Sequence, residues 1–399
     1  MVNNSDDRID TSVFKSGISY PHMVEDGMPG RVLPDQGLHP DDIVNIQFTS
    51  GTTSMPKAAC LSHRSILNNG NSIGDRMLLT EHDVVCCPPP LFQYVPSTPT
   101  GETHYIPLTF QSCFGSILGY MATATHGSAI VFPTESFNAL ETLKCLSEYT
   151  CTALYGVPTM FVAEFELLAS QPSLIPPGGF TSLRTGIAAG SSIPAEMMRK
   201  LYRTLNLTGL TICYGMTETS PVSCMTTTDD PIEKRIDTVG RVLPHLEAKV
   251  VDPHDWSRVL DIGEKGELAI SGYSLMKGYW GDEQRTAEVM VTDPAGKRWM
   301  HTGDEAVIDS EGYVRITGRI KDLIIKGGEN IHPLEVENCL FAHPAVAEVS
   351  VVGLPDARYG EAVAAFVVKH KGAEVGADEV RAWVKERLSH HLGKCSLLV

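Results

Sequence analysis

From Val44 to Asn206 short β-branched runs alternate with amphipathic stretches, at the spacing expected of strand–helix–strand crossovers. Val44, Ile46 and Phe48 alternate as a strand, Ser62 is placed to cap a helix running through Ile66 and Leu67, and Val84-Val85-Cys86 reads as the next strand. SAIVF, CTALYG and LTICYG continue the series, separated by helical stretches such as FNALETLKCLSEY and PAEMMRKLYRTLN. The expected fold class is α/β, with a doubly wound parallel sheet as its core. From about Asp237 to Gly318 the helical signal fades and Gly-punctuated segments such as GELAISGY and GYVRITGR predict a β-rich subdomain. After Gly318, IHPLEVENCLFAH and ADEVRAWVKERLSHHL read as helices and VAEVSVVG and AVAAFVVKH as strands, a small C-terminal α+β domain.

Composition removes several classes of function. A chain of 399 residues with 42% hydrophobic content is long enough for a sizeable core and more than one domain. Its formal charge of −16, from 48 acidic and 32 basic residues with no Lys/Arg block, argues against nucleic acid as a partner. Ten cysteines without a CxxC pair read as reduced core thiols, which points to an intracellular compartment. The polar opening holds no apolar signal segment, and no run reaches the length of a transmembrane segment.

The most informative local chemistry is FTSGTTSMPKAACLSH, Phe48 to His63. Directly after a strand, the hydroxyls of Thr49, Ser50, Thr52 and Thr53 surround Gly51, with Lys57 a few residues on. Backbone N–H groups, hydroxyls and one ammonium can converge there on a polyphosphate. The spacing is not that of the GxxxxGK[ST] loop, and a solvated Ser/Thr turn is the bland alternative.

TGIAAGSSIP, YGMTETSPV, GELAISGYSLMKGYW, HTGDEAVIDSEGYVRITGRIKD and IIKGGENIHPLEVE follow that loop in this order. Together the series resembles the adenylate-forming (AMP-binding) superfamily of acyl-CoA synthetases, luciferases and peptide-synthetase adenylation domains. IQFTSGTT, YGMTETSPV and IIKGGENIHP look most like the medium-chain fatty acyl-CoA synthetases, including the group called acyl-CoA synthetase family member 2.

The resemblance implies a division into a partial N-terminal AMP-binding domain at 1–318 (its β-rich part about 237–318), a hinge at 319–322 and a partial C-terminal domain at 323–399. It implies ATP, Mg²⁺ and coenzyme A as cofactors and co-substrates, and a carboxylic acid as the other small-molecule partner. Thr49 to Lys57 would hold the ATP phosphates, although the family usually has glycine where Ser54 stands. Adenine would sit between Tyr214 and Ala189-Gly190-Ser191. Thr217 would contact phosphate and Glu218 the Mg²⁺ ion, a hard carboxylate for a hard cation. Asp304 would accept the ribose hydroxyls, Arg319 would donate to ribose or phosphate oxygens, and Lys321 matches the hinge position. Gly327 and Gly328 would bring backbone close to the thiol of coenzyme A. For single residues plainer readings stay open: a core tyrosine, a surface glutamate, a surface Asp/Arg pair, a turn.

The implied reaction joins a fatty acid to coenzyme A through an acyl-adenylate, the small domain turning between the two half-reactions. Only 48 residues precede Thr49, and the family's run before its catalytic lysine gives way to CSLLV, so that role falls on no residue here. A chain truncated at both ends with impaired activity is therefore expected. An aryl- or amino-acid-activating ligase and a non-catalytic nucleotide-binding remnant remain alternatives. Lastly, PPPLFQ and CFGSILG match the two halves of a Pro-Leu-Phe-His-Cys-Phe-Gly family run, with Tyr94 to Ser112 wedged between them. Gln93-Tyr94-Val95 can be encoded with an intron donor and Gln111-Ser112 with an acceptor, and excision would restore a histidine codon. A retained intron is expected, against a genuine insertion.

Overall fold

Alternating apolar residues in the first strand predict one inward face, and the structure pairs that strand into a hairpin. The computed structural model describes residues 37–49, 57–89, 113–189, 195–356, 358–370 and 372–388. Strand β1 (Ile43–Thr49) pairs antiparallel with β2 (Lys57–Ser62), closing with Thr49 opposite Lys57. Helix α1 (His63–Met77) starts where Ser62 was expected to cap it. Ser62 Oγ accepts the Ser65 N–H at 3.2 Å and Ser65 Oγ accepts the Ser62 N–H at 3.0 Å, so two otherwise orphaned donors are satisfied reciprocally. The helix buries Ile66, Ile73 and Met77 against the π-helical run Phe114–Met121 and α2 (Ala122–His126). Gly70 permits that approach: a Cβ there would lie 2.7 Å from Met121 Cβ.

The central sheet has seven strands in the order β4-β3-β5-β6-β7-β8-β9. These are β3 (Val84–Cys86), β4 (Ala129–Val131), β5 (Ala153–Gly156), β6 (Thr185–Ala188), β7 (Gly209–Gly215), β8 (Val222–Met225) and β9 (Arg241–Val242). Pairing is parallel from β4 to β7, as crossovers through α3 (Ala139–Glu148), α4 (Pro158–Ser170) and α5 (Ala195–Leu205) require. At the other edge β7 pairs antiparallel with β8 and β8 antiparallel with β9, an edge that the helix-and-strand count did not anticipate. Successive strand residues face opposite ways: Tyr155, Ile187 and Cys213 join the α1 side, whereas Leu154 and Ile212 pack with Leu143, Phe161, Met198 and Leu201. Helices thus cover both faces, and the sheet is doubly wound.

The β-rich stretch after α6 (Ile232–Asp237) is an antiparallel sheet of β10 (Leu246–Asp252), β11 (Asp255–Val259), β12 (Gly266–Gly272), β13 (Met290–Thr292), β14 (Arg298–Ile308) and β15 (Val314–Arg319), with α7 (Glu283–Val289) before β13. A last sheet joins β16 (Ile324–Lys326), β17 (Glu329–Ile331), β18 (Val346–Asp356) and β19 (Gly360–Lys369). Against it α8 (Pro333–Phe341) and α9 (Ala377–Arg387) bury Val336, Leu340, Val380 and Val384, a core of their own. Among the described residues no helix is long and apolar enough to cross a membrane.

Candidate active site

In a doubly wound sheet the loops leaving the carboxyl ends of the strands enclose the crevice where ligands bind. Here Pro89 beyond β3, Val157 beyond β5, Ala189 beyond β6 and Tyr214 at the end of β7 border one open cavity of about 1210 Å³. The antiparallel sheet supplies Asp304 and Arg319 to the facing wall, and Lys321 follows on the short turn after β15. Ala189, Tyr214, Thr217, Asp304, Arg319 and Lys321, spread over the sequence, all line this space.

Tyr214 donates its O–H to Asp304 Oδ2 at 2.6 Å, joining the parallel sheet to the antiparallel one. Asp304 stands opposite Arg319 in the β14–β15 register, with Arg319 Nε 3.6 Å from Asp304 Oδ1. The Arg319 side chain is 67% exposed against 15% for Asp304, so the guanidinium is free to reorient while the carboxylate is held. Burial raises the Asp304 carboxyl above its ordinary pKa, with Tyr214 and Arg319 opposing. Burial and the Asp304 charge push the Tyr214 phenol well up, so it remains a donor. The plainer reading of Asp304 and Arg319 as an ion pair describes their contact here. The site around it is not an open surface.

Glu218 lies on the single 3₁₀ turn Thr217–Thr219 after β7 and is 4% exposed, which rules out a solvated surface glutamate. Its Oε1 accepts the Tyr279 O–H at 2.6 Å. Beside it, Thr217 Oγ1 lies 3.6 Å from Cys113 Sγ, whose thiol also donates to Gln47 Oε1. Burial pushes Cys113 up to about 12, so it is a neutral donor at the cavity wall and no nucleophile.

Thr49 and Lys57 face each other at the open end of the first hairpin. Thr49 Oγ1 is buried without a partner among the described residues, and Lys57 Nζ lies 5.0 Å from the centroid of the Tyr279 ring. Ser50, Gly51, Thr52 and Thr53 lie outside the described residues, as do Gly190, Ser191 and the segment Tyr94 to Ser112. Gly327 and Gly328 have φ of +60° and +86° and form the two-residue turn between β16 and β17, where Lys326 pairs with Glu329. Such a turn needs residues free to take positive φ. Neither glycine lines the main cavity.

Three site residues escaped sequence reasoning: Gln47, Cys113 and Tyr279. Gln47 left a trace as a polar residue inside an apolar strand, and Tyr279 sits within the quoted GELAISGYSLMKGYW; neither pattern says which partner the side chain meets.

A family model described as AMP-binding enzyme matches residues 5–280, and one described as AMP-binding enzyme C-terminal domain matches residues 335–395. The acyl-CoA ligase sidI of Aspergillus fumigatus is 47% identical over 386 residues, covering 94% of this chain and 60% of that ligase. The mitochondrial medium-chain acyl-CoA ligase ACSF2 of Bos taurus is 39% identical over 355 residues, covering 89% of this chain and 54% of that ligase. Among solved structures, ATP-bound MatB from Rhodopseudomonas palustris aligns with a TM-score of 0.75 at 28% identity, over 90% of this chain and 65% of that one. The chain thus spans at most 60% of the length of these two curated relatives.

Proposed function

This chain belongs to the AMP-binding enzyme family, and from that premise we propose that it serves an ATP-dependent acid–thiol ligase acting on fatty acids. The carboxylate attacks the α-phosphate of ATP and releases pyrophosphate. The thiol of coenzyme A then displaces AMP from the acyl-adenylate. The observation that carries this reading is the cavity at the strand carboxyl ends into which Tyr214, Thr217, Asp304, Arg319 and Lys321 converge from two motifs far apart in sequence.

In this reading the segment from Thr49 to Lys57 holds the β- and γ-phosphates, and the Thr49 hydroxyl, without a partner among the described residues, is one donor for them. Thr217 donates to phosphate. Asp304, already oriented by Tyr214, accepts the ribose hydroxyls, and the exposed Arg319 swings onto ribose or phosphate oxygens. Adenine lies against Tyr214 and the segment Ala189 to Ser191. Glu218 fits a Mg²⁺ ion: it is a nearly buried carboxylate with, among the described residues, one hydrogen bond, so it keeps acceptor capacity for a cation that would offset phosphate charge. Phe114, Leu118, Val157 and Met160 line the cavity with apolar surface and suit an acyl chain; the medium-chain ligases among the relatives favour a medium-length one. Residues 319–322 act as the hinge between the units at 1–318 and 323–399, and Gly327-Gly328 present backbone to coenzyme A after the turn.

Equilibrium binding of ATP and of adenosine tests the site. Asp304→Ala is expected to weaken both ligands, whereas Lys57→Ala weakens ATP by about tenfold or more and spares adenosine, because a charge-assisted bond contributes roughly 1.5–3 kcal/mol. Circular dichroism confirms that each variant is folded. If Asp304→Ala left both affinities unchanged, the assigned nucleotide site would be wrong. Pyrophosphate exchange with carboxylic acids of graded length then reads the acyl preference.

A further inference from the structure

The ring of Tyr279 touches two motifs that lie far apart in sequence. The segment Met276–Trp280 runs as a short ladder along β2: Lys277 N–H donates to Cys60 O at 2.8 Å, Cys60 N–H to Gly278 O at 3.0 Å and Trp280 N–H to Ala58 O at 2.8 Å. On its other side the Met276 N–H donates to Glu218 O at 2.9 Å, and the Tyr279 N–H donates to Thr286 Oγ1 of α7 at 2.9 Å. The Tyr279 backbone is therefore held at both ends before its side chain makes any contact. From that position the buried ring lies under Lys57 Nζ, 5.0 Å away, and its O–H reaches Glu218 Oε1 at 2.6 Å.

We propose that Tyr279 is a positioning residue of the nucleotide site, orienting the Glu218 carboxylate toward a divalent cation while its ring face holds Lys57 at the exit of the phosphate loop. The inference rests on the reading of Glu218 as the cation-holding carboxylate. A carboxylate acting toward a cation must present a fixed oxygen, and a single charge-assisted hydrogen bond to Oε1 selects one rotamer and leaves Oε2. The electron-rich ring face attracts the Lys57 ammonium without consuming any of its three donors, which stay available for phosphate oxygens. One side chain thus sets the spacing between the positive group and the metal-directed negative group on either side of a polyphosphate.

Tyr279→Phe separates this role from packing, because the ring and its contact with Lys57 remain and only the O–H is lost. Isothermal titration calorimetry on the full 399-residue chain, with ATP in the presence of Mn²⁺ and with ATP in chelator, reads the cation-dependent part alone. About a tenfold loss of Mn²⁺-ATP affinity with unchanged metal-free ATP affinity is expected, the usual effect of removing a hydrogen bond to a charged group. Thr286→Val is the companion variant. It leaves the phenol in place but frees the Tyr279 backbone N–H, and about a threefold loss with the same metal selectivity is expected. In a Glu218→Gln background Tyr279→Phe should cost nothing further. Equal losses with and without metal, or no loss in either variant while Glu218→Gln does weaken Mn²⁺-ATP, would overturn the role of Tyr279. If Glu218→Gln itself leaves Mn²⁺-ATP affinity unchanged, the reading of Glu218 falls, and this inference with it.

Discussion

Glu164 on α4 lies one turn beyond Met160 of the cavity wall, is 0% exposed, and neither of its carboxyl oxygens has a partner among the described residues. A buried carboxylate without a cation or donors keeps its proton instead, and burial raises this group from 4.5 to about 8. The folded chain therefore retains a proton that the unfolded chain sheds above its ordinary carboxylate range. Stability falls as pH rises from that range toward about 8, and levels off above it. Glu164→Gln removes this slope: it is expected to be nearly neutral near pH 4 and stabilising by on the order of 4 kcal/mol near pH 9. Urea unfolding at the two pH values checks it, and identical pH slopes for variant and parent would contradict it. Neither this residue nor the Tyr279 contact was legible in the sequence. A glutamate in an amphipathic stretch looks the same whether it meets water or a wall of leucines.

At the scale of elements, the amino ends of the parallel strands are tied together opposite the cavity by Asp83, which precedes β3. It accepts from Arg184 Nη2 at 2.7 Å, from Thr152 Oγ1 at 2.7 Å and from the Thr80 N–H at 2.8 Å, and Thr152 and Arg184 directly precede β5 and β6. Burial alone would raise the Asp83 pKa, but Arg184, Thr152 and Thr80 outweigh it and hold it below the ordinary value. Its stabilisation is thus complete above the unfolded-state pKa and is lost as pH falls through the lower folded value. Asp83→Ala is expected to cost about 2–3 kcal/mol at pH 7, less than a fully buried pair because Arg184 is 39% exposed. Repeating the denaturation near pH 2 should show the difference shrinking. The strands themselves were readable, since three consecutive β-branched or apolar residues between turns suffice to mark them. The knot between their ends was not, for it joins residues 101 apart in sequence.

Across the whole molecule, the C-terminal sheet is attached to the rest beyond the 319–322 stretch by a polar contact as well as by the chain. His332, just before α8, places Nε2 3.0 Å from Glu305 Oε1 on β14, and that contact first, with Thr317 assisting, holds the Glu305 carboxyl below its ordinary pKa against burial. Glu305→Gln is expected to loosen this attachment and to speed trypsin cleavage near Arg319 and Lys321 severalfold, followed by mass spectrometry of the fragments; an unchanged rate would place the restraint elsewhere. By itself the sequence determined the α/β class, the succession of elements and the motif residues that line the cavity, because strand and helix periods are local and the motifs carry their chemistry with them. It did not determine which face of β1 is buried. Val44 is exposed and Gln47 is wholly buried, the reverse of what apolar alternation implies, because among the described residues β1 pairs only with β2 and turns Gln47 toward Cys113 and Ser116. Nor did it determine that Tyr214 meets Asp304 across 90 residues or Tyr279 meets Glu218 across 61. Those contacts exist only once two sheets stand against each other, and no local pattern records the distance between sheets.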